Sequence, residues 1–223
     1  MKNNIIYFLI VSIGLTISSC YKYTIEPDYG TLSGEFVDKF SGTNLDVGNI
    51  TLSPSLSVNG NMNLDTAGHF YNSKILPGAY TLYGSIKAAF TSDSALIDMK
   101  PGIKTEVKLE IEPWISVKQK VVDVVDTTIT INYSIKGNRN MIPARHVIAW
   151  STSPKPTVSV YPGGNRNFYT PNTGSENGTF NYKITGLKRN TTYFIVTGAR
   201  TNDPVKNPSN DYNYARQIII KTP

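Results

Sequence analysis

The chain has 223 residues, 39% of them hydrophobic, with a formal net charge of +6 and a single cysteine. A lone cysteine closes no intrachain disulfide and builds no multi-thiolate metal site, so packing must hold the fold together. The charge is lopsided: residues 21–112 carry 7 basic and 11 acidic side chains, whereas residues 113–223 carry 14 and 5.

The N-terminus has a pattern of its own. Lys2 precedes an apolar run over residues 5–17, and Ile17-Ser18-Ser19-Cys20 closes it with small residues. That is the layout of a signal peptide. A run of about 13 residues falls short of the roughly 20 that a membrane-spanning helix needs. The closing four residues resemble a bacterial lipobox, in which the cysteine is lipidated and becomes the first residue of the mature protein. The resemblance implies a signal peptide over 1–19, a lipid anchor at Cys20, a tether over 20–30 and a mature chain working outside the cytoplasm. A basic C-terminal half raises the question of nucleic acid. Export argues against that partner and leaves anionic polysaccharide, lipid headgroups, an acidic protein surface or plain solvent.

Beyond the tether, apolar residues recur with period two, and no window of 11 residues keeps helical spacing with caps. The fold class is therefore all-β. In residues 31–112, Leu32, Gly34 and Phe36 alternate with polar neighbours, and Tyr80, Leu82 and Ile86 mark a second strand. Ile103, Val107, Leu109 and Ile111 alternate with Lys104, Glu106, Lys108 and Glu110, a strand with one buried face. Pro113 is a natural boundary, because proline breaks ladder pairing and restricts its predecessor. Gly34-Glu35-Phe36-Val37-Asp38 with Ser41-Gly42-Thr43-Asn44-Leu45, then Asp65-Thr66-Ala67-Gly68-His69-Phe70, then Leu76-Pro77-Gly78-Ala79-Tyr80-Thr81-Leu82 carry three ordered motifs. Together they resemble carboxypeptidase-regulatory-like (prealbumin-like) sandwiches, which implies that fold for residues 31–112.

Residues 113–223 read as about seven strands, near 114–118, 127–135, 145–151, 157–161, 179–185, 192–199 and 215–221. Leu187-Lys188-Arg189-Asn190-Thr191-Thr192-Tyr193 with Ala199 resembles the corner signature of fibronectin type III-like sandwiches, where the tyrosine hydroxyl bonds back across the corner. Two tandem β-sandwiches result. Lipobox and both sandwich types together resemble Bacteroidetes lipoproteins encoded in polysaccharide-utilisation loci beside SusC-like and SusD-like importer proteins. That resemblance implies an outer-membrane, lipid-anchored protein with polysaccharide and importer components as partners. Cys20 is followed by Tyr21-Lys22-Tyr23 rather than at once by acidic residues. Cell-surface and periplasm-facing locations therefore both stay open.

Reactive constellations are few. There is no G-x-S-x-G elbow, H-E-x-x-H or Walker loop, and no D-x-D-x-D-G calcium pattern. The two histidines, His69 and His146, lie in different modules. Glu176 is the one acid of the second module in a loop suited to a site, too little for a glycosidase pair. The expectation is a non-catalytic protein without cofactor or metal. Trp150 alternates with Ile148 as a core residue, and Trp114 is placed to pack between the modules.

Aromatic, amide-rich loop sequence stands out instead. Pro162-Gly163-Gly164-Asn165 reads as a turn that gathers Tyr161, Phe168 and Tyr169 near its tip, beside Arg166. Tyr212 and Tyr214 end a second such segment, residues 202–214. In fibronectin order, the 136–143, 162–178 and 202–214 loops share one end of the sandwich. Tyr161, Arg166, Phe168, Tyr169, Tyr212 and Tyr214 are therefore the candidate glycan-binding residues, rings meeting sugar C–H faces and polar groups its hydroxyls. The expected ligand is a polysaccharide or oligosaccharide, and the sequence leaves neutral and anionic ones both open. The competing expectation is a protein bridge between importer components, since interfaces are also rich in Tyr and Arg.

Overall fold

The structure, a computed structural model, describes residues 27–54, 61–169, 177–203, 205–207 and 209–223, with the side chain of Tyr169 outside the description. The signal-peptide and lipid-anchor expectations, Cys20 included, lie outside the described residues, as does Glu176. Seven strands build the first sandwich: β1 (Gly30–Asp38), β2 (Asn49–Ser53), β3 (Asn61–Met62), β4 (His69–Ile75), β5 (Gly78–Ser85), β6 (Asp93–Met99) and β7 (Lys104–Ile111). The second uses β8 (Ile115–Val125), β9 (Thr128–Gly137), β10 (Arg145–Ser151), β11 (Asn165–Tyr169), β12 (Gly178–Ile184), β13 (Thr192–Arg200), β14 (Asn213–Tyr214) and β15 (Ile218–Lys221).

In the first sandwich a β4-β1-β7 sheet faces a β3-β2-β5-β6 sheet. β1 and β7 run parallel, from Thr31 opposite Lys104 to Asp38 opposite Ile111. Leu32, Phe36, Ile50, Leu52, Phe70, Leu82, Leu109 and Ile111 fill the space between the sheets. The three motifs fold as turns around that core. Asp38 Oδ1 accepts the N–H groups of Phe40 and Ser41, and Asp65 Oδ1 those of Ala67 and His69. Gly68, at φ +79°, packs where a Cβ would meet Leu45 backbone at 2.8 Å, a place for glycine alone. The Tyr80 hydroxyl donates to Leu76 O at 2.9 Å and pins the start of β5. The expected strand at 103–111 is present, but Ile103 precedes it and is half exposed.

The second sandwich has sheets β12-β9-β8 and β11-β10-β13, with β14 and β15 both pairing β13. That is the E-B-A and C′-C-F-G order of the fibronectin type III and immunoglobulin-like class. The corner tyrosine is in place: the hydroxyl of Tyr193 accepts the Lys188 N–H at 3.1 Å. Ile129, Ile131, Ile135, Ile148, Ile184 and Ile195 form the core together with Trp114 and Tyr193. Trp150 packs on that core as a partly buried residue beside Tyr182.

Three strands differ from expectation, the first because β8 runs on to Val125, well past the expected 114–118. Residues 157–161 are not a strand; the C′ strand is Asn165–Tyr169. Thr157 Oγ1 accepts the N–H groups of Ser159 and Val160, curling the segment into a turn, and Val158 N–H is given to the Tyr214 hydroxyl. The expected 215–221 strand is broken, because Gln217 N–H goes to the Asp46 carboxylate of the first sandwich.

The sandwiches are locked together. Trp114 N–H donates to Ala88 O at 3.0 Å and Phe90 N–H to Glu112 O at 2.9 Å. Ala88 and Phe90 thereby join the core of the second sandwich. Lys39, from the first, and Arg139, from the second, both bind the Glu112 carboxylate.

Candidate functional site

The expected convergence is present for two loops, 136–143 and 202–214. The 162–164 turn of the third lies instead at the far end of β10, where Pro162 O accepts from Ser151 and Thr152. β9 ends, β10 begins, β13 ends and β14 begins at one end of the sandwich, where Lys206 Nζ reaches Met141 Sδ at 3.8 Å across two of the loops. The aromatic residues, however, do not gather at that tip. They lie along the outer face of the C′-C-F-G sheet, because residues 165–169 of the supposed loop are strand β11. Alternation sends His146, Ile148 and Trp150 of β10 inward and Arg145, Val147 and Ala149 outward. Phe168 stands opposite Val147 and Arg166 opposite Ala149. Further along the same face, Val147 pairs with Gly198 and Gly198 with Tyr214.

Guanidiniums and rings alternate over this face. The Arg145 guanidinium sits 4.3 Å from the Phe168 ring centroid, and Arg166 sits 4.9 Å from both Phe168 and Tyr161. Arg200 lies 5.7 Å from Tyr212, whose ring stacks on Tyr214 at 6.0 Å with 25° between planes. Such cation–ring contacts hold a guanidinium in place without using up its N–H groups, which stay able to donate. Tyr161, Arg166 and Phe168 are thus brought together, and so are Tyr212 and Tyr214. For Tyr169 only the backbone, opposite His146, is described. Phe168 carries both Arg145 and Arg166 against its ring.

Arg145 and Arg200, which bridge the two clusters, are legible only in the structure. They face each other directly across β10 and β13. Sequence spacing does not pair residues 55 positions apart, and each alone reads as a strand-end cation.

Tyr214 lies flat on the backbone of Gly198, where a Cβ would meet its ring at 2.7 Å. Burial pushes its phenol pKa up from the ordinary tyrosine value. Tyr212 and Tyr214 also line a cleft of about 520 Å³ between the sandwiches, with Asn49, Lys87, Asp211 and Asn213 around it. Lys155 closes one wall. Its ammonium donates to Asp46 O at 3.0 Å and Leu64 O at 2.8 Å, both in the first sandwich. Burial raises the pKa of Asp46 even though Gln217 N–H donates to its carboxylate.

Elsewhere, His69 lies 3.7 Å from both Glu35 and Asp65 on the exposed β1-β4 surface. His146 is buried against Phe180 and Tyr133, and desolvation lowers its pKa to about 4. Among the described residues no group of three His, Cys, Asp or Glu side chains is placed to hold a metal ion.

Fold and site define a tandem β-sandwich protein with an inter-sandwich cleft and an arginine–aromatic sheet face. Solved structures share this architecture over both sandwiches. A DUF3823 family protein from Parabacteroides merdae matches 87% of this chain and 100% of its own at a TM-score of 0.64 and 14% identity. A DUF3823 family protein from Bacteroides ovatus matches 87% and 100% at 0.65 and 16%. A Bacteroides uniformis protein described as a "putative carbohydrate binding protein" matches 87% and 99% at 0.61 and 15%. At these identities the likeness is one of fold. No protein-family model and no curated protein matches the chain.

Proposed function

We propose that this protein is a non-catalytic carbohydrate-binding lipoprotein, held to the outer membrane through Cys20 and serving a SusC/SusD-like glycan importer. The observation that carries the binding role is the stacked Tyr212–Tyr214 pair on the wall of the inter-sandwich cleft, among amide and charged side chains. Rigid rings with a few convergent polar groups are the usual chemistry of a saccharide site. The carbohydrate-binding description of the Bacteroides uniformis protein, which shares the fold, points the same way. Affinity electrophoresis of residues 21–223 against neutral and acidic polysaccharides tests it. Retardation by a glycan, lost in Tyr212→Ala, supports the role, and no retardation across the panel removes it.

A protein-bridging role is the second reading. Ile142 and Val205, 52% and 86% exposed, lie in the two loops joined by the Met141–Lys206 contact. An apolar loop end of this kind suits a protein contact. Ile142→Asp with Val205→Asp abolishing importer pull-down, without loss of glycan retardation, would favour it. For the anchor, Cys20→Ala is expected to move the protein from the membrane fraction to the soluble one.

A further inference from the structure

We propose that Arg145, Arg166 and Arg200 select glycans bearing anionic groups, carboxylate or sulfate, so that the polysaccharide bound is an acidic one. The inference rests on the carbohydrate-binding reading and narrows it.

The first ground is an uncompensated charge. Arg145 and Arg200 stand directly opposite each other in the β10–β13 ladder, where Cβ atoms are about 5 Å apart and like charges disfavour the pairing. Two other arginines of this sandwich are neutralised, Arg139 by Glu112 and Arg189 by Asp126, whereas Arg216 is exposed and lies away from this face. Among the described residues, Arg145, Arg166 and Arg200 form no ion pair.

The second ground is how the three are held. Arg145 and Arg166 approach the same Phe168 ring at 4.3 and 4.9 Å. Their guanidinium carbons therefore lie within the sum of those distances of one another. Arg200 rests on Tyr212 and donates to the Asn210 side-chain oxygen. Arg145 Nε–H is buried without a hydrogen-bond acceptor, so stacking rather than hydrogen bonding fixes that side chain. A guanidinium held against a ring keeps its terminal N–H groups for a ligand, and those match carboxylate and sulfate oxygens. Arginines already immobilised by rings lose little further freedom on binding.

The third ground is placement. Arg200 contacts the ring of Tyr212, which lines the cleft. A chain seated at that tyrosine continues over the arginines along the sheet face, one anionic group meeting each. An uncharged chain gains only hydroxyl hydrogen bonds from the row, without the ionic reinforcement an anionic group adds.

Affinity electrophoresis of residues 21–223, which hold both cores, in gels containing homogalacturonan, dextran sulfate or uncharged dextran and xyloglucan tests this. An acidic polymer is expected to retard the protein, less so as salt rises. The carboxylate and sulfate arms tell which anion is read. Arg145→Gln and Arg200→Gln are each expected to weaken retention roughly tenfold, the loss of a charge-assisted hydrogen bond. The double variant Lys118→Gln/Lys183→Gln, which removes charge from the opposite sheet, is expected to change it by less than about twofold. Should Arg145→Gln fold poorly, Arg166→Gln with Arg200→Gln carries the test. Equal loss from the lysine variant would show attraction to net charge alone and overturn the inference. Retention by a neutral glycan, indifferent to the arginine changes, would overturn it while leaving carbohydrate binding intact. No retention by any polymer would overturn both.

Discussion

Gly198 and Phe168 organise the candidate surface from opposite sides. Gly198 lets the Tyr214 ring settle on bare backbone, with Tyr212 stacked outside it. Gly198→Ala keeps an allowed β conformation but places a methyl group where the ring lies. The variant is expected to fold, to lose the Tyr212–Tyr214 arrangement and to weaken glycan retention, which electrophoresis and tyrosine fluorescence read together. Phe168 acts on cations instead. Phe168→Ala frees the guanidiniums of Arg145 and Arg166, contacts worth about 0.5–1 kcal/mol each at exposed sites. Binding should fall although no ligand contact is removed, and the salt dependence should persist because the charges remain. By contrast, Tyr193→Phe touches only the corner bond from Lys188. It is expected to lower unfolding free energy by about 1 kcal/mol in denaturant melts without changing binding.

At the scale of strands, β10 carries both the candidate surface and a buried titratable group, on alternate sides. Arg145 and Val147 point out, whereas His146 points into the core against Tyr133 and Phe180. Desolvation holds His146 neutral with a pKa of about 4, against about 6.5 in an unfolded chain. Below about pH 6.5 the unfolded state takes a proton that the folded state refuses, so stability is lost progressively as pH falls toward about 4. Denaturant midpoints measured from neutral to mildly acidic pH should decline in the wild type and stay flatter in His146→Leu. Much of this level was legible in the sequence. Alternation at 31–38 and 145–151, the Asp65–Gly68 turn and the Tyr193 corner are local patterns, and local patterns survive into the fold. The C′ strand was not legible, because Asn165-Arg166-Asn167-Phe168-Tyr169 is a polar edge strand without hydrophobic alternation, while Val158-Ser159-Val160 imitates one. Nor was the Arg145–Arg200 pair, which exists only through register between β10 and β13.

Across the whole molecule, what fixes the cleft is the junction between sandwiches, where charged groups add to the Trp114–Ala88, Phe90–Glu112 and Gln217–Asp46 bonds. Lys155 reaches out of the long C–C′ connection to two carbonyls of the first sandwich. Glu112 stands at the boundary with Lys39 on one side and Arg139 on the other. The hydrogen bond from Lys39, reinforced by the Arg139 charge, keeps the Glu112 carboxyl below the usual carboxylate range despite its desolvation. A lowered folded pKa adds stability above the unfolded value of about 4.3 and loses it as pH falls through the folded one. Burial raises Asp46 instead, so its protonation favours the folded state as pH falls and opposes the acid loss. If Glu112 sets the angle between sandwiches, Glu112→Gln should broaden the distance distribution in small-angle scattering at neutral pH and separate the unfolding of the two cores. Acidifying the wild type below the ordinary carboxylate range should reproduce that broadening, while the variant should respond less. Glycan retention should weaken with it, since the Tyr212–Tyr214 wall faces residues of the first sandwich across the cleft. Unchanged scattering in Glu112→Gln would remove Glu112 as the determinant of the angle, and Lys155→Met, which cuts two bonds to the first sandwich, is the next variant expected to produce both effects.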